Sequence, residues 1–340
     1  MSKDDSGKSS LSPSAQMWKL IWPGAMAAQV VYAAAKLGLV DSVIGEPKTA
    51  EELAATTKAH APSLKRLLRA LVSLDIFIED PPDKFRPTPL GETLRKDHPS
   101  SIRTWAVFLG SPFVWNPWGG LYETVITGKT AFPRLHGQAF FNYLADHPDD
   151  AKTFNDAMSA GSSVTAKDLL ASYDFSRFEK IVDVGGGQGE LLYGILMANP
   201  KAHGVLFDLP SVVSGANALK TGEVATRCEV VAGDFFERVP EGGDVYIFKT
   251  VIHDWDDEEA LKILRNCRRA IKMNGHLLLV DTILSASNRP ESGLMDAMAL
   301  VLGGRERTEA EFRALLREAG FSLIRVIPAR NSSVVEGQPS

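Results

Sequence analysis

The sequence has 340 residues and is poor in cysteine, in excess positive charge and in long uninterrupted apolar runs. Its two cysteines, Cys228 and Cys267, are too few and too far apart for a disulfide framework or a zinc site, so we expect no metal centre. The formal net charge of −5 leaves no overall basic surface for nucleic acid or for an anionic membrane. These shortages exclude small secreted scaffolds, zinc modules and strongly basic proteins.

Membrane insertion is also disfavoured by the sequence. The most apolar stretch, residues 21–40, is interrupted by Pro23, Gly24, Gln29 and Lys36, whereas a membrane helix needs about 20 mostly apolar residues. Residues 1–14 are rich in Ser, Lys and Asp, which is typical of a disordered tail and not of a signal peptide. We therefore expect a cytoplasmic protein that contacts neither membrane nor nucleic acid.

The N-terminal part of the chain predicts a winged-helix domain over residues 15–100. Residues 17–39 form a helical pattern that is apolar on most sides, which indicates burial in a core or, as we favour, against a second subunit. Two helices then precede two short strands around the turn at residues 80–83. Three basic residues lie on one face of the second helix, and we interpret them as solvated surface and not as a DNA contact.

Residues 101–172 are predicted to be a helical linker that contributes to a substrate pocket. This stretch is dense in Trp, Phe and Tyr between Trp105 and Met158. Most of these side chains must belong to the core, and a subset would suit a flat aromatic ligand because aromatic faces stack well. The sequence alone does not select that subset.

Residues 173–340 alternate between strand and helix patterns, which predicts an α/β domain with a parallel, doubly wound sheet. The domain is organised around residues 181–190, where a short apolar strand is followed by four glycines in five positions and then by a helix. Glycines permit a tight turn and let a ligand approach the backbone. In such sheets ligands bind at the carboxyl ends of the strands.

Polar residues follow the predicted strands in an order that suits adenosine. Asp208 lies 19 positions beyond Gly189, where an acidic side chain takes the ribose hydroxyls, and Asp234 could hold an adenine amine. Glu190 stands where a dinucleotide fingerprint starting at Gly185 needs its third glycine. The lysine-containing ending of a phosphate-binding loop is also absent. A cofactor with an amino-acid end, a ribose and no phosphate fits better, and S-adenosylmethionine is such a cofactor.

Five short motifs together make the chain resemble the S-adenosylmethionine-dependent O-methyltransferases related to plant caffeate and hydroxyindole O-methyltransferases and to bacterial polyketide and phenazine O-methyltransferases. The resemblance covers residues 17–327 and implies a Rossmann-like class I methyltransferase sheet with an N-terminal winged-helix dimerisation domain. The motifs are Val182 to Gly189, Phe207 to Pro210, Gly233 to Phe236, His253 to Trp255 and Gly303 to Thr308.

The resemblance implies a role for each matching residue. It places a general base at His253, flanked by the acids Glu306 and Asp281. Plant members carry Glu where this chain has the shorter Asp281, so Glu306 is the expected partner of the histidine. The implied cofactor-binding residues are Gly185 and Gly187 for the methionine end, Asp208 for the ribose, Asp234 with Phe235 for the adenine, and Leu209 and Lys249 near the cofactor.

The implied reaction is methyl transfer to a hydroxyl of a small aromatic or polyketide-type acceptor by a homodimer. A phenol has a pKa of about 10 and imidazole one of about 6.5, so a well-placed His253 can act as base if a carboxylate fixes its tautomer. Asp254 could equally cap a helix or take part in catalysis, and Trp255 could be core or pocket wall. N- or S-methylation, a relative that hydroxylates or decarboxylates, and a non-enzymatic winged-helix regulator remain alternatives.

Overall fold

The computed structural model describes residues 11–284, 290–330 and 332–340. Most of the tail expected at residues 1–14 lies outside the described residues, and the part that is described enters a helix at Pro13. The chain divides into two compact units, Met1–Trp115 and Asn116–Ser340. The domain limits predicted above differ from this single division, because the aromatic-rich residues 101–172 are shared between the two units.

The first unit combines helices with a three-stranded antiparallel sheet. Its strands are β1 (Lys48–Thr49), β2 (Phe77–Glu79) and β3 (Lys84–Pro87), in the order β1-β3-β2. Two helices followed by a hairpin form the winged-helix arrangement that the sequence indicates. The helices are α1 (Pro13–Lys19), α2 (Ala25–Leu37), α3 (Ala50–Thr57), α4 (Ala61–Ser73), α5 (Pro89–Glu92), α6 (Arg103–Gly110) and α7 (Pro112–Trp115).

The core of the first unit follows from helical spacing. Leu64, Leu68 and Leu71 recur on one face of α4 and are buried there with Phe77 and Phe85 from the hairpin. At the start of α3, Thr49 and Glu52 form a capping box in which each side chain satisfies the other residue's backbone N–H. Local sequence signals therefore account for this unit.

The N-terminal helices leave large apolar side chains exposed. Pro23 does not end the helical run; a π-helical turn at Leu20–Gly24 joins α1 to α2. The continuous run Pro13–Leu37 is long and apolar enough to cross a membrane by length and composition alone. The exposed apolar side chains of this run form a face that suits contact with a second protein surface. It consists of Met17, Trp18, Leu20, Ile21, Trp22 and Met26.

The second unit is a seven-stranded sheet with helices on both faces. Its helices are α8 (Leu121–Thr127), α9 (Ala131–His136), α10 (Phe140–Asp146), α11 (Pro148–Ser172), α12 (Glu190–Ala198), α13 (Pro210–Val213), α14 (Asn217–Lys220), α15 (Asp257–Ala270), α16 (Pro290–Leu302) and α17 (Glu309–Glu318). Its strands are β4 (Lys180–Val184), β5 (His203–Asp208), β6 (Cys228–Ala232), β7 (Val245–Lys249), β8 (His276–Asp281), β9 (Ile283–Leu284), β10 (Arg307–Thr308), β11 (Phe321–Pro328) and β12 (Ser333–Pro339).

The strand order is β11-β12-β8-β7-β4-β5-β6, while β9 and β10 pair separately. The prediction of an entirely parallel sheet needs one correction, since β12 runs antiparallel to both of its neighbours. Only four residues separate β11 from β12, too few for the crossover that a parallel pair requires. Between β5 and β6 the chain forms two short helices, α13 and α14, in place of one long crossover helix.

The central strands are apolar on both faces because helices cover the sheet on each side. Alternate residues of β7 illustrate this: Tyr246 and Phe248 belong to one buried cluster, while Val245 and Ile247 belong to the other. The chain reverses its direction of winding between β4 and β7, which are neighbours in the sheet. Such a switch point opens a crevice at the carboxyl ends of the strands.

Candidate active site

The glycine turn after β4 lies at this crevice and has the backbone geometry that glycine permits. Gly185 and Gly187 have φ of +66° and +64°. A Cβ atom on Gly185 would lie 2.7 Å from a methyl carbon of Val251, whereas one on Gly187 would meet nothing within 4 Å. Gly185 is therefore required by packing and conformation, and Gly187 presents an open stretch of backbone.

Asp208 closes this turn from the end of β5. Its Oδ2 atom accepts a hydrogen bond of 2.8 Å from the N–H of Gly187, and its Oδ1 atom accepts one of 2.7 Å from the N–H of Leu209. Burial raises the pKa of Asp208 to about 6, although the two backbone donors act to lower it. The acid expected at the end of the second strand thus lies directly against the glycine turn.

Asp234 and Phe235 follow the neighbouring strand β6. The Oδ1 atom of Asp234 accepts a 2.8 Å hydrogen bond from the N–H of Phe236, which fixes the local turn. The ring of Phe235 lies beside Gly185, 3.6 Å from the position of a Cβ atom there. Phe235 and Phe236 both make edge contacts with Trp255, with ring centroids 5.9 and 4.6 Å apart. Together they form an aromatic wall next to the turn.

Lys249 and Asp183 are ionisable groups beneath the same turn. Burial lowers the pKa of Lys249, while the charges of Asp183, Asp281 and Asp254 act against this shift. Burial raises the pKa of Asp183 to about 7, against the effect of Lys249. Neither carboxyl oxygen of Asp183 has a hydrogen-bond partner among the described residues. Such buried, unsatisfied groups are uncommon and point to a missing partner.

His253 lies in a 3₁₀ turn, Ile252–Asp254, that follows β7. Its Nδ1 atom is 2.8 Å from the Oε1 atom of Glu306, whose side chain is 1% exposed. On the other side of the ring, Nε2 lies 3.4 Å from the Oδ1 atom of Asp254. His253 and Glu306, which the resemblance pairs, thus lie in contact, and Asp254 lies at the second nitrogen.

The carboxylates around His253 determine its charge. Burial acts to lower the pKa of His253, but the charge of Asp254, the hydrogen bond to Glu306 and the charge of Asp281 outweigh burial and raise that pKa to about 10. Burial raises the pKa of Asp254 to about 6 and that of Asp281 to about 7. At a pH below these pKa values, Asp254 and Asp281 are protonated. His253 remains a cation at pH values well above 7.

Asp281 lies at the end of β8 and is fully buried. Its carboxyl oxygens have no hydrogen-bond partner in the described parts of the chain, so it does not hydrogen-bond His253. Its influence on the histidine is electrostatic. This arrangement agrees with the expectation that Glu306 and not the shorter Asp281 is the direct partner.

Sequence reasoning gave no role to three residues near the glycine turn and His253, namely Asp183, Asp296 and Arg307. Asp183 was part of the glycine motif but had no role of its own. Asp296 accepts a 3.2 Å hydrogen bond from the N–H of Glu306, and nothing in its sequence context indicates this. Arg307 is fully buried, and the motif Gly303 to Thr308 contains two arginines without a pattern that tells which one is inside.

The site fits a cofactor with an adenosine part. Asp208 and Asp234 lie at adjacent strand ends beside the open backbone of Gly187. The buried carboxyl oxygens of Asp183 and Asp281 have no hydrogen-bond partner among the described residues, and Lys249 is the cation whose charge acts on both acids. No cluster of His, Cys, Asp and Glu in the described ranges has the arrangement of a metal site.

Comparison with known proteins agrees with these features. A family model described as "O-methyltransferase domain" matches residues 118–322, and one described as "O-methyltransferase dimerisation domain" matches residues 20–97. Phenazine O-methyltransferase PhzM from Lysobacter antibioticus is 44% identical over 92% of this chain and 92% of its own length. A relative that methylates nitrogen, 8-amino-8-demethylriboflavin N,N-dimethyltransferase from Streptomyces davaonensis, is 37% identical over 88% of each chain.

Solved structures show the same relationship. The crystal structure of LaPhzM has a TM-score of 0.92 and 41% identity, over 97% of this chain and 100% of that one. NcsB1, an O-methyltransferase from neocarzinostatin biosynthesis, was solved with S-adenosylmethionine and 2-hydroxy-5-methyl naphthoic acid; it has a TM-score of 0.82 and 33% identity, over 92% of this chain and 96% of that one. This chain belongs to the family of S-adenosylmethionine-dependent O-methyltransferases.

Proposed function

We propose that this enzyme methylates a hydroxyl group of a small aromatic or polyketide-type acceptor, with His253 as the general base. The observation that carries the proposal is the 2.8 Å contact between Nδ1 of His253, in the turn after β7, and Oε1 of Glu306. A carboxylate on one imidazole nitrogen holds the proton there and leaves the other nitrogen to receive the acceptor proton. The phenazine O-methyltransferase PhzM and NcsB1, which was solved with a naphthoic acid, support the acceptor class.

The cofactor supplies an electrophilic methyl group on a sulfonium, and the protein binds it and orients the acceptor oxygen. We assign the methionine end to Gly185 and Gly187, the ribose to Asp208 with Leu209, and the adenine to Asp234 with Phe235. Lys249 lies beneath the same turn and balances the buried acids there. Positioning of two reactants supplies a large part of the rate in such displacements.

The proton leaves the acceptor as its oxygen becomes a nucleophile. The raised pKa of His253 makes it a stronger base than an ordinary imidazole, which favours proton transfer from a phenol with a pKa of about 10. The same pKa means that the free enzyme carries imidazolium at neutral pH. His253 must therefore release its proton to solvent before it can take one from the acceptor, and the rate should increase with pH.

A flat acceptor has an aromatic surface available close to His253. Trp255, two residues further along, stacks on Phe141 with ring centroids 5.4 Å apart and an interplanar angle of 24°. Aromatic rings favour such offset stacking with other π systems. We propose that this part of the second unit contributes to the acceptor pocket.

The test is methyl transfer from labelled S-adenosylmethionine to a panel of phenols and naphthols, with His253→Ala compared with wild type. Removal of the base should lower kcat by about 10²- to 10⁴-fold. His203→Ala, which changes an exposed histidine at the start of β5, is the matched control. Wild-type turnover in His253→Ala would disprove the base role, and a lack of product with every phenol would disprove the acceptor class.

N-methylation is the second candidate, because a relative with similar identity over most of its length methylates nitrogen. An uncharged amine already has a lone pair and does not need a base to attack a methyl group. An N-methyltransferase should therefore keep most of its rate in His253→Ala on an aromatic amine, whereas O-methylation of the matching phenol is lost. Parallel assays with aniline-type and phenol-type acceptors separate the two reactions.

We also propose that the enzyme is a homodimer that pairs through its N-terminal helices. The match of residues 20–97 to the dimerisation domain supports this proposal. The exposed rings of Trp18 and Trp22 stack on each other, with centroids 6.4 Å apart, and extend the apolar face of α1. An exposed face of this kind is typical of an interface between subunits.

A further inference from the structure

Arg307 is a charged side chain that is completely buried in β10. Each of its three donor nitrogens has an acceptor, and Nη2 also lies 2.8 Å from Oδ1 of Asp257. Nη1 donates to the carbonyl of Ile252 at 3.0 Å, Nη2 donates to the carbonyl of Trp255 at 2.9 Å, and Nε donates to Oδ1 of Asp257 at 2.9 Å. Burial of a guanidinium costs free energy unless such partners are present, and here they hold the side chain in one place.

The two carbonyls lie on either side of the proposed base. Ile252 immediately precedes His253, and Trp255 follows it by two positions. The planar fork of a guanidinium can hold both carbonyls at once with fixed spacing, which a lysine ammonium cannot do with the same rigidity. Arg307 therefore hydrogen-bonds the turn that carries His253 on both sides of the histidine.

The residues before Arg307 contact the middle of the same turn. The N–H of Arg305 donates to the carbonyl of His253 at 2.8 Å, and the carboxylate of Glu306 accepts from its ring. The two segments approach so closely that a Cβ atom on Gly304 would lie 2.1 Å from the carbonyl oxygen of His253. Three consecutive residues thus fix the main chain and the side chain of the histidine.

We propose that Arg307 is a positioning residue, which acts through the carbonyls of Ile252 and Trp255 to keep the His253 imidazole aligned with Glu306. This inference rests on the proposed role of His253 as base. Arg307 does not touch the acceptor or the cofactor in this proposal. It fixes the main chain of the turn after β7, so that the imidazole of His253 and the carboxylate of Glu306 stay in contact.

The primary test is a nitrogen and proton NMR measurement of His253 in enzyme saturated with S-adenosylhomocysteine, which needs no turnover. Wild type should show a hydrogen-bonded Nδ1–H and a pKa far above that of free imidazole. Arg307→Lys should lose or broaden the Nδ1–H signal and move the pKa of His253 towards about 6.5. Unchanged His253 signals in Arg307→Lys would overturn the proposal.

Kinetic measurements form the second part of the test, with the phenol that gives turnover in wild type. Arg307→Lys should lower kcat by about 10- to 100-fold, as expected for a displaced catalytic group, with the KM for the acceptor little changed. The affinity for S-adenosylhomocysteine should stay within about twofold, because the turn at Gly185 and Gly187 is untouched. A rise in KM with wild-type kcat would contradict a positioning role.

Arg313→Met is the matched control, since Arg313 pairs with Glu309 at an exposed position of α17 and should change none of these readouts. If Arg307→Lys does not fold, Asp257→Ala takes its place, because Asp257 is half exposed and is the carboxylate that holds the guanidinium. It should weaken the His253 signals in the same direction. Wild-type signals in Asp257→Ala would then count against the proposal.

The NMR readout also separates this inference from the proposed function. If the enzyme methylates phenols through His253 but Arg307→Lys leaves the imidazole unchanged, only the positioning role fails. If the imidazole loses its contact with Glu306 while turnover is unaffected, the base role itself fails. Loss of both the contact and turnover, with cofactor affinity kept, supports the two together.

Discussion

The Nδ1 atom of His253 and the Oε1 atom of Glu306 are 2.8 Å apart, although the residues are separated by 53 positions in the chain. The contact joins the turn after β7 to the segment before α17. It determines the tautomer of the imidazole, because the carboxylate can only accept a proton from Nδ1. Most of the expected behaviour of the site follows from this pair and the acids beside it.

Glu306→Gln should lower kcat for a phenol by about 10²-fold or more, since the neutral amide no longer stabilises the imidazolium that forms during the reaction. The pKa of His253 should fall at the same time, because the hydrogen bond to Glu306 is one of the causes that raise it. Steady-state kinetics and NMR titration measure both effects. Glu309→Gln, an exposed acid that pairs with Arg313, is the control. Wild-type kcat in Glu306→Gln would exclude the pair from catalysis.

The pH profile of the enzyme should reflect the raised pKa of His253. A base must be unprotonated, so kcat/KM should increase with pH and continue to increase above pH 8 towards the value of about 10. An ordinary histidine would instead reach a plateau near pH 7.5, about one unit above its usual pKa. The measurement is kcat/KM from pH 6 to 9.5 with one phenol of known pKa. A plateau below pH 8 would contradict this assignment.

Asp281→Asn should stabilise the fold at alkaline pH. Because burial raises the pKa of Asp281 to about 7, the folded state keeps a proton that the unfolded chain has lost above its ordinary pKa of about 3.9. Wild-type stability therefore falls as pH rises through this range, while the neutral amide is unaffected.

Urea unfolding at several pH values measures this effect. The variant should exceed wild type by about 2–4 kcal/mol at pH 8, with the difference disappearing towards pH 4. Asp146→Asn changes an exposed acid and serves as control. A difference that shrinks as pH rises would show that the sign of the shift is wrong.

Substitution of Gly185 should mainly lower the stability of the fold, whereas substitution of Gly187 should mainly lower the affinity for the cofactor. Alanine at either position is strained by about 1–2 kcal/mol because φ is positive. Gly185→Ala should cost more, since its Cβ atom meets Val251 at 2.7 Å, while Gly187→Ala should mainly weaken cofactor binding because it fills open space. Thermal unfolding with and without S-adenosylhomocysteine separates the two effects. Wild-type affinity in Gly187→Ala would exclude that backbone from the cofactor site.

The apolar face of α1 should be needed for association of two copies. Replacement of Trp18 and Trp22 by Lys places charges on that face and should give a monomer in light scattering after size exclusion, with the second unit still folded. Ile44→Lys, at an isolated residue that is 73% exposed, is the matched control. If the double variant dimerises with unchanged affinity, the interface does not include this face.

Local patterns in the sequence were sufficient for most elements of the fold. The strand at the start of residues 181–190 and the alternation of strands and helices after it were predicted, because strands covered on both faces are short apolar runs. The antiparallel direction of β12 and the break between α13 and α14 were not predicted. Both depend on neighbours distant in sequence, which periodicity does not describe.

The sequence by itself determined the glycine turn, the acids at the strand ends, the family and the expected cofactor. These features are local, since each lies within a motif of a few residues. Only the tertiary structure decided that Asp281 acts on His253 through its charge, that Asp254 faces the second nitrogen, and that Arg307 is buried against the turn. Those relationships depend on how side chains are oriented and packed in the folded chain, and on which charges are removed from water, and a local sequence pattern describes neither.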